Sequence, residues 1–361
     1  MSKNKAVVIL TVAYNAEKWI CRCIDSVLNQ TYKDFVYYVC DNGSKDDTRT
    51  IINGYAQNDR RVLPIYFDDN NWRLMPLITA ILLEYEDGYF LNLDADDEYN
   101  PDFIKKMLAF INKHDLDLAV CGSDSINAET YELIARKELG KNLILSGKGF
   151  LKKFPIYRKY VYDYWGKIYT LSALRKACVG YIKNRTSITG RNSELFNYFA
   201  FKLSKKVGIF GKSLHKYYIF PNSLSSLFFP GRIEASVLIY NAARDYLLSF
   251  GQVDKTNQDY LYAIYFGQIN DTLNRLYNAD LPYEKKLNYI NQILNYPLTK
   301  EMLAHEANAQ FGNLADRDKF VSDINNWIDV SKPCGSSKVP MKRRKINIFK
   351  VIKNYFFSTK N

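Results

Sequence analysis

Asp94, Asp96 and Asp97 place three carboxylates within four positions, near the end of a run from Gly88 to Pro101. Carboxylates this close repel one another unless a cation or hydrogen-bond donors compensate. The apolar residues from Tyr89 to Leu93 read as a buried strand that releases the acidic group at its carboxyl end. Open α/β sheets bind their ligands there. Hard oxygen donors on a short loop suit Mg2+ or Mn2+ held jointly with substrate phosphates. Capping of the next helix accounts for one acidic residue at most, because Asn100 and Pro101 already supply an N-cap and first-turn pair.

The elements that must position this loop follow from hydrophobic periodicity. Strand-like runs at 6–13, 35–40, 62–67, 89–93 and 117–122 alternate with helix-like segments at 16–29, 46–58, 72–86 and 101–114. That alternation predicts an α/β fold built on a parallel sheet with crossover helices. Residues 124–160 are less regular, and a second group of short elements runs to about residue 229, completing one mixed sheet with an acceptor-facing wall. From Gly231 to Ile328 the pattern is helical, with Pro282 and Pro297 as breaks. The expected organisation is a domain at 1–229, a helical region at 230–330, and a linker with a basic tail at 331–361.

Hydrophobic residues make up 47% of the 361 and charged residues 24%, a globular rather than a disordered composition. No apolar run approaches the ~20 residues of a membrane span. The N-terminal apolar run lacks the length and cleavage site of a secretory signal, so a cytoplasmic location is expected. The six cysteines are scattered and show no metal-ligand spacing, as expected of reduced thiols.

The net charge of +12 is concentrated at one end, where residues 332–361 hold nine Lys or Arg and no Asp or Glu. The remainder has 41 basic and 38 acidic residues, too balanced for a nucleic-acid binder. Within the tail, Lys342 to Lys345 precede Ile346, Ile348, Phe349, Ile352, Tyr355 and Phe356, which share one broad side at helical spacing. A basic, aromatic helix of this kind suits the anionic inner face of the cell membrane. A peripheral membrane enzyme is therefore expected, with the tail bringing it to a lipid-linked acceptor.

Tyr14, Asn15 and Glu17, the run from Ser26 to Thr31, the Asp41 to Ser44 turn and the Asp94 to Asp97 loop together resemble family 2 glycosyltransferases. The resemblance implies the GT-A fold and inverting transfer from a nucleotide-diphosphate donor, here expected to be a UDP-sugar. It implies that Val12, Tyr14, Asn15, Glu17 and Asp41 frame the nucleoside, and that Arg73 faces the diphosphate. It places Asp94 near the ribose or metal and Asp96 on Mn2+ or Mg2+, with His215 completing the metal shell. Tyr164 and Trp165 are the expected acceptor contacts, with packing in the core as the alternative.

For the base that deprotonates the acceptor, the resemblance aligns the usual aspartate with Ser193, leaving Glu194 as the nearest carboxylate and Asp163 in reserve. The Gln-x-x-Arg-Trp sequence of processive relatives does not occur, so addition of a single sugar to a glycan or lipid-linked glycan is expected. The alternative is a nucleotide-binding scaffold of the same fold without turnover, suggested by Asn192 and Ser193 in place of an acidic pair.

Overall fold

The computed structural model describes residues 5–70, 74–184, 192–220 and 227–305. Arg73 and the tail helix at 342–357 lie outside the described residues. One compact unit holds the described residues up to 184 and from 193 to 220, and a second holds those from 227 onward.

The first unit is built on β1 (Ala6–Ala13), β2 (Val36–Asn42), β3 (Val62–Phe67), β4 (Gly88–Asn92), β5 (Glu98–Tyr99), β6 (Leu118–Asn127), β7 (Leu133–Lys137), β8 (Leu143–Ser146), β9 (Lys167–Thr170) and β10 (Lys206–Ile219). They form one mixed sheet in the order β3-β2-β1-β4-β9-β6-β10-β5, with β7 on β6 and β8 on β10. The first four strands of that order run parallel, β1 pairing Val12 with Cys40 on one side and Leu10 with Asn92 on the other. All their carboxyl ends therefore open along one edge, and β1 and β4 are buried on both faces as crossover helices require.

Between them run α1 (Ile20–Leu28), α2 (Thr48–Asn58), α3 (Leu74–Leu83) and α4 (Phe103–His114). On α1 the residues Ile20, Cys23, Ile24 and Val27 recur at helical spacing, and they pack into the core beneath β1 and β4. Asn100 does not cap α4: its carbonyl accepts the Phe103 N–H at 2.9 Å, and Asp102 stands at the N-cap, receiving the Thr31 hydroxyl at 2.9 Å. The pair at Asn100 and Pro101 makes a turn ahead of the helix instead.

After β8 come two single turns, α5 (Gly149–Lys152) and α6 (Phe154–Tyr157), then a 3-10 turn at Arg158–Tyr160, α7 (Leu171–Asn184) and α8 (Asn192–Leu203). β9 enters the sheet antiparallel to β4, with Leu91 opposite Ile168 and Tyr89 opposite Thr170. The chain just before β9 is thereby delivered to the edge where β4 releases its acidic loop.

The second unit consists of α9 (Arg232–Leu248), α10 (Lys255–Asn278), α11 (Tyr283–Asn295) and α12 (Pro297–Ala304). Pro282 and Pro297 mark the starts of α11 and α12, where a missing N–H does no harm. Ile239, Tyr246, Leu261, Tyr265, Ile269 and Ile293 are among its buried residues. Asp254 caps α10 by accepting the Asn257 N–H at 2.8 Å, and Arg232 pairs with Asp271 at 2.5 Å. Among the described residues no helix is long and apolar enough to cross a membrane.

Candidate active site

The carboxyl edge of β1 and β2 presents two loops tied to each other. Val12 is half-buried near the end of β1, and Tyr14 just beyond it is 43% exposed. Asn15 has a left-handed backbone (φ 50°), a conformation Asn tolerates better than most side chains. Its N–H donates to Ser44 Oγ at 2.9 Å and its Oδ1 accepts the Lys45 N–H at 2.9 Å. Glu17 makes the equivalent exchange, its N–H to Asp46 and its carboxylate to the Asp47 N–H, each at 3.1 Å. Asn15 and Glu17 thus staple two loops together, leaving Tyr14 as the open ring on the rim.

Asp41 is fully buried at the end of β2. Its carboxylate accepts the Ser44 N–H at 3.0 Å and Arg49 Nε at 2.8 Å, while Arg49 also donates to the Phe67 carbonyl. Gly43 is required between them, because its φ is +81° and a Cβ there would lie 2.5 Å from the Asp69 carbonyl carbon. Sequence reasoning did not find Arg49. Only the fold brings α2 back to β2, although its spacing of eight residues from Asp41 was visible.

The acidic loop follows β4. Solvent reaches Asp94, while protein crowds its other sides. Burial pushes its carboxyl up to about 7, with Asp96 and then Asp163 adding repulsion. Asp96 is half-buried and also raised, chiefly by burial. Arg22, from α1, donates to the Asp96 carbonyl at 2.6 Å, approaches Glu98 at 3.1 Å and lies 3.5 Å above the Tyr218 ring. Behind the loop, Asp97 is sealed and accepts the Tyr218 N–H at 2.9 Å. The loop is held from both sides, so Asp94 and Asp96 have defined positions.

His215 is fully buried on β10, with Nε2 3.3 Å from Asp97 Oδ2. Neither ring nitrogen has a hydrogen-bond partner among the described residues. Burial, then Lys137 and Lys167, lowers its pKa well below the usual histidine value. Trp165 stacks on it at 4.4 Å and 5°, and on Tyr217 at 5.4 Å. Trp165 is only 8% exposed, and Tyr164 leans on Phe196 at 5.3 Å. In this arrangement both aromatics pack internally and His215 is enclosed.

Glu194, on α8, is 1% exposed and ion-paired with Arg158, itself 5% exposed. Asp163 lies elsewhere, in the loop before β9, with Oδ2 3.2 Å from Lys137 Nζ. Its backbone carbonyl accepts both Lys167 Nζ and Asn197 Nδ2, the latter at 2.7 Å. Burial lowers the Lys167 pKa to about 7, with Asp163 opposing that shift. Lys137 stands opposite Ser123 on β6, and the neighbouring Gly122 keeps that strand pairing close, because a Cβ there would overlap the Lys137 carbonyl. Sequence reasoning passed over Lys137, whose role depends on pairings across the sheet.

Among the described residues no three His, Cys, Asp or Glu side chains group as a ready metal site. Asp94 and Asp96 nevertheless suit a hard cation, since Mg2+ is commonly held by one or two carboxylates with substrate phosphates and water supplying the rest. The repulsion already raising Asp94 is what a cation would relieve. A depression of about 510 Å3 lined by Lys5, Val7, Tyr32, Tyr89 and Asn112 lies at the opposite, amino-terminal edge of these strands, away from this chemistry.

A mixed sheet with an Asp41 turn and a paired-aspartate loop at one edge defines the GT-A class of glycosyltransferase folds. The chain matches the family model for glycosyl transferase family 2 over residues 8–177. It is 31% identical to an uncharacterized glycosyltransferase of Haemophilus influenzae over 39% of its own length, and spans 41% of that relative. It is 24% identical to the uncharacterized glycosyltransferase EpsJ of Bacillus subtilis, covering 89% of this chain and 92% of that one. In fold it is similar to residues 1–349 of TarS from S. aureus in complex with UDP-GlcNAc. That match has a TM-score of 0.63 at 19% identity and covers 90% of each chain.

Proposed function

We propose that this glycosyltransferase moves one sugar, with inversion, from a UDP-sugar to a hydroxyl of a glycan acceptor. The observation that carries the reading is the delivery of Asp94 and Asp96 to the same strand edge as the Asp41 turn and the open Tyr14 ring. A nucleoside lying against Val12, Tyr14 and the Asn15 and Glu17 loop would direct its diphosphate toward the two aspartates. Asp41 would act from behind, fixing the turn that meets the base. The solved complex of TarS with UDP-GlcNAc supports the choice of donor class.

A Mn2+ or Mg2+ ion, when bound, would be held by Asp94 and Asp96 and would supply Lewis-acid neutralisation of the departing nucleotide. His215 would serve behind them, packing against Asp97 and Trp165. A lipid-linked acceptor at the inner face of the cell membrane fits the basic, aromatic run at 342–357, which lies outside the described residues. Ser193, where family members carry the usual aspartate, favours the second reading of a nucleotide-binding scaffold without turnover.

A thermal-shift screen of UDP-sugars with and without Mn2+, followed by assay of UDP release, tests both readings. Selective stabilisation by one UDP-sugar with accompanying turnover is the expected result, since stabilisation scales with affinity. Stabilisation by UDP with no turnover across the panel would favour the scaffold. No stabilisation by any of them would remove the proposal.

A further inference from the structure

We propose that Asp163 is the catalytic base of this enzyme, replacing the carboxylate that Ser193 does not supply; this rests on the transferase reading above. Three independent features converge on it. The first is topological. β9 runs antiparallel to β4 with Leu91 opposite Ile168, so continuing that register brings the residues before β9 level with residues 93–96. The acidic loop and Asp163 therefore emerge side by side.

The second is anchoring. The Asp163 carbonyl is gripped by Lys167 from β9 and by Asn197 from α8, and Asn197 is itself fixed by the Tyr169 hydroxyl at 3.0 Å. Lys137 sits 4.4 Å from the Trp165 ring centre and holds one carboxylate oxygen of Asp163. A base must be held in place before it can act on a bound hydroxyl, and this one is tied at both backbone and side chain. Its side chain keeps 18% of its surface open to solvent.

The third is elimination of the nearest rival. Glu194 is fully committed to the interior, its side chain 1% exposed against Arg158. One position along a helix is a rotation of about 100°, and here that rotation turns Glu194 away from the direction its neighbour Ser193 takes.

In the proposed step Asp163 accepts the proton of the acceptor hydroxyl. The oxygen lone pair forms the new bond to the anomeric carbon, and the bond from that carbon to the diphosphate breaks, its electron pair leaving with UDP. The proton stays on Asp163 until solvent takes it. Nothing else is consumed.

The test uses the full chain, UDP-glucose, UDP-galactose, UDP-GlcNAc and UDP-GalNAc as donors, Mn2+, and water as the acceptor. Asp163→Asn should lower UDP release by about a hundredfold or more, the usual contribution of a general base, while UDP affinity by calorimetry changes less than about threefold. Sodium azide should then restore UDP release and yield the inverted glycosyl azide, because an anionic nucleophile has no proton to lose. Near wild-type release by Asp163→Asn would overturn the assignment, and so would intact UDP binding without azide rescue. Wild-type protein that binds UDP yet releases it from none of the four donors would instead sink the transferase reading, a failure visible before any variant is made.

Discussion

Removing Glu194 offers a sharp separation of a structural carboxylate from a catalytic one. The Glu194 and Arg158 side chains are 1% and 6% exposed, so Glu194→Ala removes the carboxylate from a buried ion pair. Breaking such a pair on one side typically costs 3–5 kcal/mol. For a unit of about 200 residues each kcal/mol moves the melting temperature by about 2–4 °C, which predicts a fall of roughly 6–20 °C. Turnover per folded molecule, measured below the new transition, should stay within about twofold of wild type. Replacing both partners with apolar residues, Arg158→Met with Glu194→Leu, should recover most of the lost stability, because a well-packed apolar pair is often as stable as a buried ion pair. Calorimetric melting and UDP release on the same samples decide the matter. A Glu194→Ala protein that melts like wild type but has lost turnover would refute the reasoning and return Glu194 to the site.

Two further substitutions probe the nucleotide edge. Asp94 has a folded-state pKa of about 7, against about 4 for an unfolded aspartate, so the folded protein binds more protons between those values and loses stability as pH rises through them. Asp94→Asn should therefore gain stability relative to wild type from none at pH 4 to its full extent at pH 8 in metal-free buffer. Solvent screening reduces that gain to about 1 kcal/mol, or a few degrees by thermal melting; equal melting temperatures at pH 8 would contradict the account. Gly43→Ala forces a Cβ against the Asp69 backbone at φ +81°. It should cost about 1–3 kcal/mol and weaken UDP binding about tenfold by calorimetry. Unchanged affinity would show that the turn does not meet the nucleotide.

The parallel half of the sheet was legible because its signals are local. The apolar runs at 6–13 and 62–67 coincide with β1 and β3, and β2 and β4 lie within two residues of their expected limits. Doubly covered strands leave a near-continuous apolar record in the sequence. The α4 start was misplaced by two residues because Asn100 turns its backbone toward Leu214, a partner more than a hundred residues away.

The same limit governs the site. Asp94 and Asp96 were visible as a cluster of charge at a strand end. The insertion of β9 beside β4, which raises Asp163 from a reserve candidate to a neighbour of Asp94, is a pairing across more than seventy residues. Glu194 was drawn to the site by linear proximity to Ser193, and its partner Arg158 gave no local sign. Trp165 read equally as a sugar platform or as packing, and its stack on His215 depends on a strand pairing that the sequence does not display. None of these contacts is encoded by periodicity, since each depends on which strand lies next to which.

The central claim is that Asp94 and Asp96, at the carboxyl edge of the parallel strands, hold a cation shared with a nucleotide diphosphate. Titration calorimetry of UDP into wild-type and Asp96→Ala protein, each with and without Mn2+, measures it directly. The account predicts that Mn2+ tightens UDP binding to the wild type about tenfold or more and has no effect on the variant. Equal UDP affinity in all four titrations, or none in any, would contradict it.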